Sequence, residues 1–100
     1  MTTPTATESE ERSNQLRVGS GTPPQAAATS IFRCITESHV YPEIRAIGHG
    51  AIGQAVKAIA ISRGLLAPKA IDLAVIPGFE TITDDDGKEI SAMVFRTFAR

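Results

Sequence analysis

The sequence is poor in cysteine, in aromatic residues and in long apolar runs. Its one cysteine is Cys34, tryptophan is absent, and aromatic residues make up 5% of the 100 residues. A lone cysteine forms no internal disulfide and holds no metal by itself. No apolar run is long enough to cross a bilayer, and the polar, acidic N-terminus has no apolar core of a signal peptide. The sequence therefore predicts a cytoplasmic protein that does not contact a membrane.

An excess of charge of one sign is also lacking. The formal net charge is -1 at pH 7, from 10 Lys and Arg against 11 Asp and Glu. This balance excludes a strongly basic, histone-like protein, because affinity for phosphates grows with the number of cations in contact. Any binding of nucleic acid must therefore depend on a local patch of cations.

Residue sets that carry chemistry are missing as well. The sequence has no Ser, His and Asp in a context that supports nucleophilic catalysis, and no His/Cys cluster with metal-ligand spacing. Asp84, Asp85 and Asp86 lack the spacing of a calcium loop, and the Asp-Gly dipeptide at Asp86 and Gly87 is typical of a hairpin turn. We therefore predict a non-enzymatic protein with no metal, no cofactor and no small-molecule substrate.

What the sequence does contain is an alternation of apolar helical and extended segments. Residues 1–15 show no apolar period and predict a disordered tail, so one domain is expected over residues 16–100. Helices are predicted from residue 23 to residue 38 or 39 and over residues 51–63. Strands are predicted at residues 16–18, 43–47, 71–76 with a continuation over 79–83, and 89–98.

Several residues are predicted to set the limits and faces of these elements. Thr22 is expected to cap the first helix, Gly64 to end the second, and Pro77 with Gly78 to form a bulge or bend in the third strand. The core face of the second helix is expected to carry Ile52, Ala55, Val56, Ile59 and Ala60. Ala58 and Ile61 would then lie on its outer side and suggest a contact with another subunit.

The order β-α-β-α-β-β indicates the fold. Short connections and right-handed crossovers place both helices on one face of a four-stranded mixed sheet. The sequence therefore predicts an α+β two-layer sandwich, whose other sheet face is open to a partner subunit or to solvent.

A glycine-rich turn precedes the second helix. The residues Gly48-His49-Gly50-Ala51-Ile52-Gly53 match the dinucleotide-binding pattern G-x-G-x-x-G. That pattern belongs to the first βα turn of a larger parallel sheet, and the acidic residue expected at the end of the next strand is missing. Two interpretations remain open, namely contact of a phosphate with the helix N-terminus and close packing of the helix.

The segment over residues 46–77 resembles the stage V sporulation protein S family. The matching pieces, in order, are Ala-Ile-Gly-x-Gly-Ala from Ala46, Gln54-Ala55-Val56-Lys57-Ala58, Ile61-x-Arg63-Gly64, Ala67-Pro68, Asp72-Leu73 and Ile76-Pro77. The resemblance extends over residues 16–100 and is strongest from Glu43 onward. It implies a role in sporulation or development and a fold similar to that of the Alba chromatin proteins, which bind DNA or RNA as dimers.

The resemblance to Alba implies three regions of nucleic-acid contact, at residues 20–22, 48–51 and 84–88. With the neighbouring cations, the candidate site comprises Arg17, Ser20, Thr22, Arg45, Gly48, His49, Gly50 and Lys57. For His49 and Lys57, an ordinary solvated side chain is the alternative interpretation. A homo-dimer or higher homo-oligomer is expected. The acidic hairpin and the low net charge leave a second hypothesis, a regulator that binds another protein instead of nucleic acid.

Overall fold

A computed structural model of the chain describes residues 14–100, and its element order agrees with the prediction. The elements are β1 (Gln15–Val18), α1 (Pro24–Glu37), β2 (Glu43–Ala46), α2 (His49–Leu66), a 3-10 turn (Ala67–Lys69), β3 (Leu73–Thr83) and β4 (Glu89–Ala99). The predicted tail lies outside the described residues up to residue 13, whereas Gln15 already belongs to β1. Neither α1 nor α2 is long and apolar enough to span a membrane.

The four strands form one mixed sheet, as predicted. Their order is β1-β2-β4-β3. β1 pairs with β2 in parallel, while β4 is antiparallel to both of its neighbours. Because β1 and β2 are parallel neighbours, the connection between them is a crossover through α1.

The core lies between the two helices and one face of the sheet. Alternate residues of β2 and one or two residues of each other strand are buried on that face, as are the inner faces of both helices. The core contains Val18, Ile44, Ala46, Leu73 and Phe95 from the strands, Ala27, Ala28, Ile31 and Ile35 from α1, and Ala51, Ala55, Ala58, Ile59 and Leu66 from α2. The two-layer sandwich of the prediction is therefore confirmed.

The predicted end and inner face of α2 are partly wrong. The helix passes through Gly64 and ends at Leu66. Val56 is 50% exposed, whereas Ala58 is fully buried and cannot serve a subunit contact. Ala60 is exposed as well. The buried face consists of smaller residues than the apolar pattern suggested, because α1 packs closely against α2.

Ser62 illustrates this close packing of the two helices. Its side chain is fully buried, and its Oγ donates to the carbonyl of Ala58 at 2.8 Å. The carbonyl of Ala28 in α1 lies 3.5 Å from the same oxygen. A buried hydroxyl is tolerated when it is hydrogen-bonded, so this position accepts a small polar residue at the contact between the helices.

The predicted bulge at Pro77 and Gly78 is absent, because β3 keeps one register with β4 through both residues. Just beyond the ends of β3, the amide of Asp84 donates to Lys88 and the amide of Arg100 donates to Asp72. In an antiparallel ladder such bonded pairs alternate, so even-numbered residues of β3 face β4. Pro77 therefore directs its nitrogen away from the sheet, where the missing N–H breaks no bond.

We predict that glycine has opposite effects on the free energy of unfolding at Ala70 and at Ala67, which lie three residues apart. Ala70 has φ +62°, in the left-handed region, where a Cβ costs about 1–2 kcal/mol. Ala70→Gly should therefore raise the free energy of unfolding by up to about 1 kcal/mol, after the greater freedom of glycine in the unfolded chain is subtracted. Ala67 is helical, with φ -56°, so Ala67→Gly should lower the free energy of unfolding by about 0.5–1 kcal/mol. Urea denaturation measures both, and the same sign for both would contradict the prediction.

Candidate nucleic-acid interface

Two helix N-termini lie at one edge of the sheet. β1 and β2 are parallel neighbours, and each is followed by a helix. Both α1 and α2 therefore begin at the edge of the sheet where β1 and β2 end, which we call the candidate edge. The first turn of neither helix contains an acidic residue. The first helical bond of α2 runs from the amide of Ile52 to Gly48, which leaves the preceding amides of the helix for an external acceptor. Such an edge favours anions.

The loop between β1 and α1 is in contact with the start of α2. A Cβ added to Gly50 would lie 2.9 Å from the Cβ of Ser20, so only glycine fits at this position. Nearby, the Nε2 of Gln54 donates to the carbonyl of Thr22 at 2.8 Å. The structure therefore brings together two of the three predicted contact regions.

The glycines of the G-x-G-x-x-G turn differ in their roles. Gly48 has φ +90° and ψ 159°, a backbone conformation that residues with a side chain rarely adopt. Gly50 allows the contact with Ser20. A Cβ on Gly53 would meet nothing within 4 Å, so the third glycine does not serve helix packing. Of the two interpretations left open by the sequence, close packing therefore accounts for Gly50, which packs against the β1–α1 loop.

Thr22 does not cap α1, and this prediction is wrong. The helix begins at Pro24 with Pro23 as its N-cap residue. The Oγ1 of Thr22 instead accepts the amide N–H of Gly19 at 2.9 Å, and the amide of Thr22 donates to the carbonyl of Gly19. Thr22 therefore closes a turn within the β1–α1 loop, because its hydroxyl reaches the amide three residues earlier.

Arg17 and Arg45 are cross-strand partners in β1 and β2, on the open face of the sheet as predicted for Arg45. The side chain of Arg45 is 16% exposed, and its Nε lies 3.3 Å from the carboxylate of Glu80, although without hydrogen-bond geometry. Its guanidinium also donates to Gln15 at 3.1 Å. Arg45 is thus already paired with a carboxylate, whereas Arg17 is exposed.

A groove on the open face separates these arginines from the hairpin. Its volume is about 520 Å³, and its lining includes Arg17, Arg45, Ile47, Ile82, Thr83 and Asp85. The carboxylate of Asp85 lowers the positive potential of this groove. The first turns of α1 and α2, by contrast, contain no carboxylate.

The hairpin tip is built on Asp84. Its Oδ1 accepts the amides of Asp86 and Lys88 at 2.9 and 2.8 Å, and Gly87 has φ +80°. The predicted Asp-Gly turn is therefore confirmed. Asp84 has a structural role that the sequence pattern did not single out, while Asp85 and Asp86 are exposed.

Other cations pair with acidic groups away from the candidate edge. Asp72 lies 3.0 Å from both Arg63 and Arg100. The hydrogen bond from Arg100, together with both positive charges, lowers the pKa of Asp72. Arg96 lies 3.9 Å from Glu43.

Two predicted site residues remain, and both are on α2. His49 is the first residue of the helix, and Lys57 lies about 12 Å further along it at the helical rise per residue. Both side chains are exposed. His49 therefore joins Ser20, Thr22, Gly48 and Gly50 at the edge, whereas Lys57 lies on the flank of α2. Within residues 14–100, no three His, Cys, Asp or Glu side chains are grouped so that they could hold a metal.

The family model of stage V sporulation protein S (SpoVS) matches residues 14–100. The match covers every described residue. The chain belongs to this family and is a sporulation-related protein, and the family is not a known enzyme family.

Proposed function

We propose that this chain is a non-enzymatic regulator that binds DNA or RNA at the edge formed by the starts of α1 and α2. The observation that carries the proposal is the contact between Ser20 and Gly50. It joins the β1–α1 loop to the N-terminus of α2 and aligns unbonded amides with no acidic residue in either first turn. A phosphate of a nucleic-acid backbone suits such a set of donors.

Charge supports a modest, local contact. Arg17 is an exposed cation in β1, Lys57 is an exposed cation on the flank of α2, and His49 is exposed at the first residue of that helix. Two cations per chain correspond to a slope of log affinity against log salt of about -2 on duplex DNA. A weak interaction of this kind is strengthened when two copies bind one nucleic acid together.

The test is a titration of the full chain against mixed duplex DNA and single-stranded RNA at low and moderate salt. Arg17→Ala and Lys57→Ala should each weaken binding and make the salt slope shallower by about 1. Lys69→Ala is the control, because Lys69 is an exposed cation just beyond the far end of α2, at least about 25 Å from the start of that helix. No binding at low salt, or equal losses in all three variants, would contradict the proposal.

Arg45→Ala is a less suitable probe than these variants. It would leave Glu80 without its partner, so a change in affinity would combine a local rearrangement with the loss of a cation. We expect Arg45 to order the open face of the sheet and not to contact phosphate.

A regulator that binds a basic protein is the second candidate function. Asp85 and Asp86 are exposed at the hairpin tip, and this acidic surface repels phosphate but suits a cationic partner. Asp85→Lys should then abolish co-purification of such a partner while leaving affinity for nucleic acid equal or higher. Copurification that survives Asp85→Lys excludes the hairpin as its binding surface.

A further inference from the structure

The free side of β3, which runs along the length of the strand, carries exposed apolar side chains. β3 is an edge strand of 11 residues. It carries the two most exposed large apolar side chains found within residues 14–100, Phe79 at 83% and Ile76 at 55%. Neither is needed for the core between the helices and the sheet.

This edge has little protection against pairing with another strand. Edge strands are usually blocked by lysines, bulges, prolines or short length. β3 is long, keeps a continuous register with β4, and contains a single charged residue, Glu80, which lies beside Arg45 of its own chain. Pro77 removes one outward N–H, but the outward amides of the other odd-numbered residues remain.

We propose that β3 is a self-association edge, where β3 of a second copy of this chain pairs antiparallel across a two-fold axis at Gly78. The two sheets then become one sheet across the axis. Gly78 is the midpoint of Leu73–Thr83, so this register gives the longest overlap. An axis at Pro77 would oppose two prolines, and an axis at Glu80 would oppose two carboxylates.

The register makes specific contacts. Phe79 of each copy lies opposite Pro77 of the other on the helix side of the sheet, and Ile76 lies opposite Glu80 on the open side. Each Pro77 carbonyl still accepts the amide of Phe79 across the axis, because odd-numbered residues direct their amides outward. Phe79 thus loses the part of its exposed surface that faces Pro77 of the other copy.

The area predicts the strength of this contact. The edge offers a strip roughly 36 Å long and 10 Å deep, about half of the ~800 Å² per partner in a standard interface. The dimer should therefore be weak, so that it forms only at high protein concentration, and it should respond to single substitutions. Burial of Phe79 in both copies supplies much of the apolar contact.

The first test is sedimentation of the full chain without nucleic acid, from low micromolar to near-millimolar concentration. Phe79→Glu and Thr81→Pro should each weaken dimerisation at least about tenfold. Thr81→Pro removes one outward amide, which the isolated chain does not use. Val56→Glu is the control, since Val56 is a half-exposed apolar residue of α2, and it should leave dimerisation unchanged.

The second test is a disulfide across the axis. A Cβ on Gly78 would meet nothing within 4 Å, and directly opposed residues in the closely spaced, non-hydrogen-bonded pair suit a disulfide. Gly78→Cys should therefore crosslink two copies faster than Ile76→Cys, with Cys34 present in both. The proposal is overturned by a chain that is monomeric at every concentration, by a dimer that responds to Val56→Glu only, or by faster crosslinking of Ile76→Cys.

Discussion

Ile44→Ala is expected to lower the free energy of unfolding by about 2–5 kcal/mol, since it removes methyl groups from the centre of the core and leaves a cavity. Ile44 is fully buried in β2, between β1 and β4. A domain of this size has a total stability of about 5–15 kcal/mol. One substitution therefore removes a large part of it.

Urea denaturation at one fixed protein concentration measures this loss, so that self-association contributes equally in each variant. Ile47→Ala is the control, because Ile47 follows three residues later and is 45% exposed. It should change the free energy of unfolding by no more than about 0.5 kcal/mol. Equal losses for the two variants would mean that the core is not centred on β2.

Local patterns predicted the order of the elements and the face that β2 buries. The alternation of Ile44 and Ala46 with Arg45 follows directly from the two-residue period of a strand, and the burial agrees with it. The hairpin followed from the Asp-Gly dipeptide in the same way. These features depend on residues that are near in sequence.

Features that depend on a distant segment were predicted less well. In α2 the apolar pattern favoured Val56 for the core, but Ala58 and Ser62 are buried instead. A hydrophobicity pattern gives weight to large side chains, whereas a close contact of α1 and α2 requires small ones. Ser62 approaching Ala28 could not be foreseen from either helix by itself.

Arg45 shows the same limit for the candidate site. Its partner Glu80 is on β3, which is not adjacent to β2 in the sheet. Val94 of β4 lies opposite both Arg45 and Gly78. Glu80 is therefore two residues further along β3 on the same open face, and the long side chain of Arg45 crosses β4 to reach it. Only the sheet order and register identify this pair. The sequence does not show it, and Arg45 was therefore assigned to the candidate site as if its charge were unpaired.

Gly50→Ala is expected to separate the β1–α1 loop from α2 and so to weaken the binding of nucleic acid. The new Cβ would lie 2.9 Å from the Cβ of Ser20. Because both Cβ atoms are bonded directly to the backbone, no side-chain rotation relieves this contact. Overpacking of this kind costs about 1–3 kcal/mol, which exceeds the gain of up to about 1 kcal/mol from alanine in a helix. We expect an affinity loss of about tenfold or more at fixed salt, because the amides of the edge are no longer aligned.

Gly53→Ala is the matched control, because its Cβ would lie in open space one turn further along the same helix. It should raise the free energy of unfolding by about 1 kcal/mol and leave the affinity for nucleic acid unchanged. The rescue is Ser20→Gly combined with Gly50→Ala, which removes the opposing Cβ and should recover much of the stability and affinity. A double variant no better than Gly50→Ala would show that the contact between Ser20 and Gly50 does not set the geometry of the edge, and the binding surface would then have to be sought on the open face of the sheet.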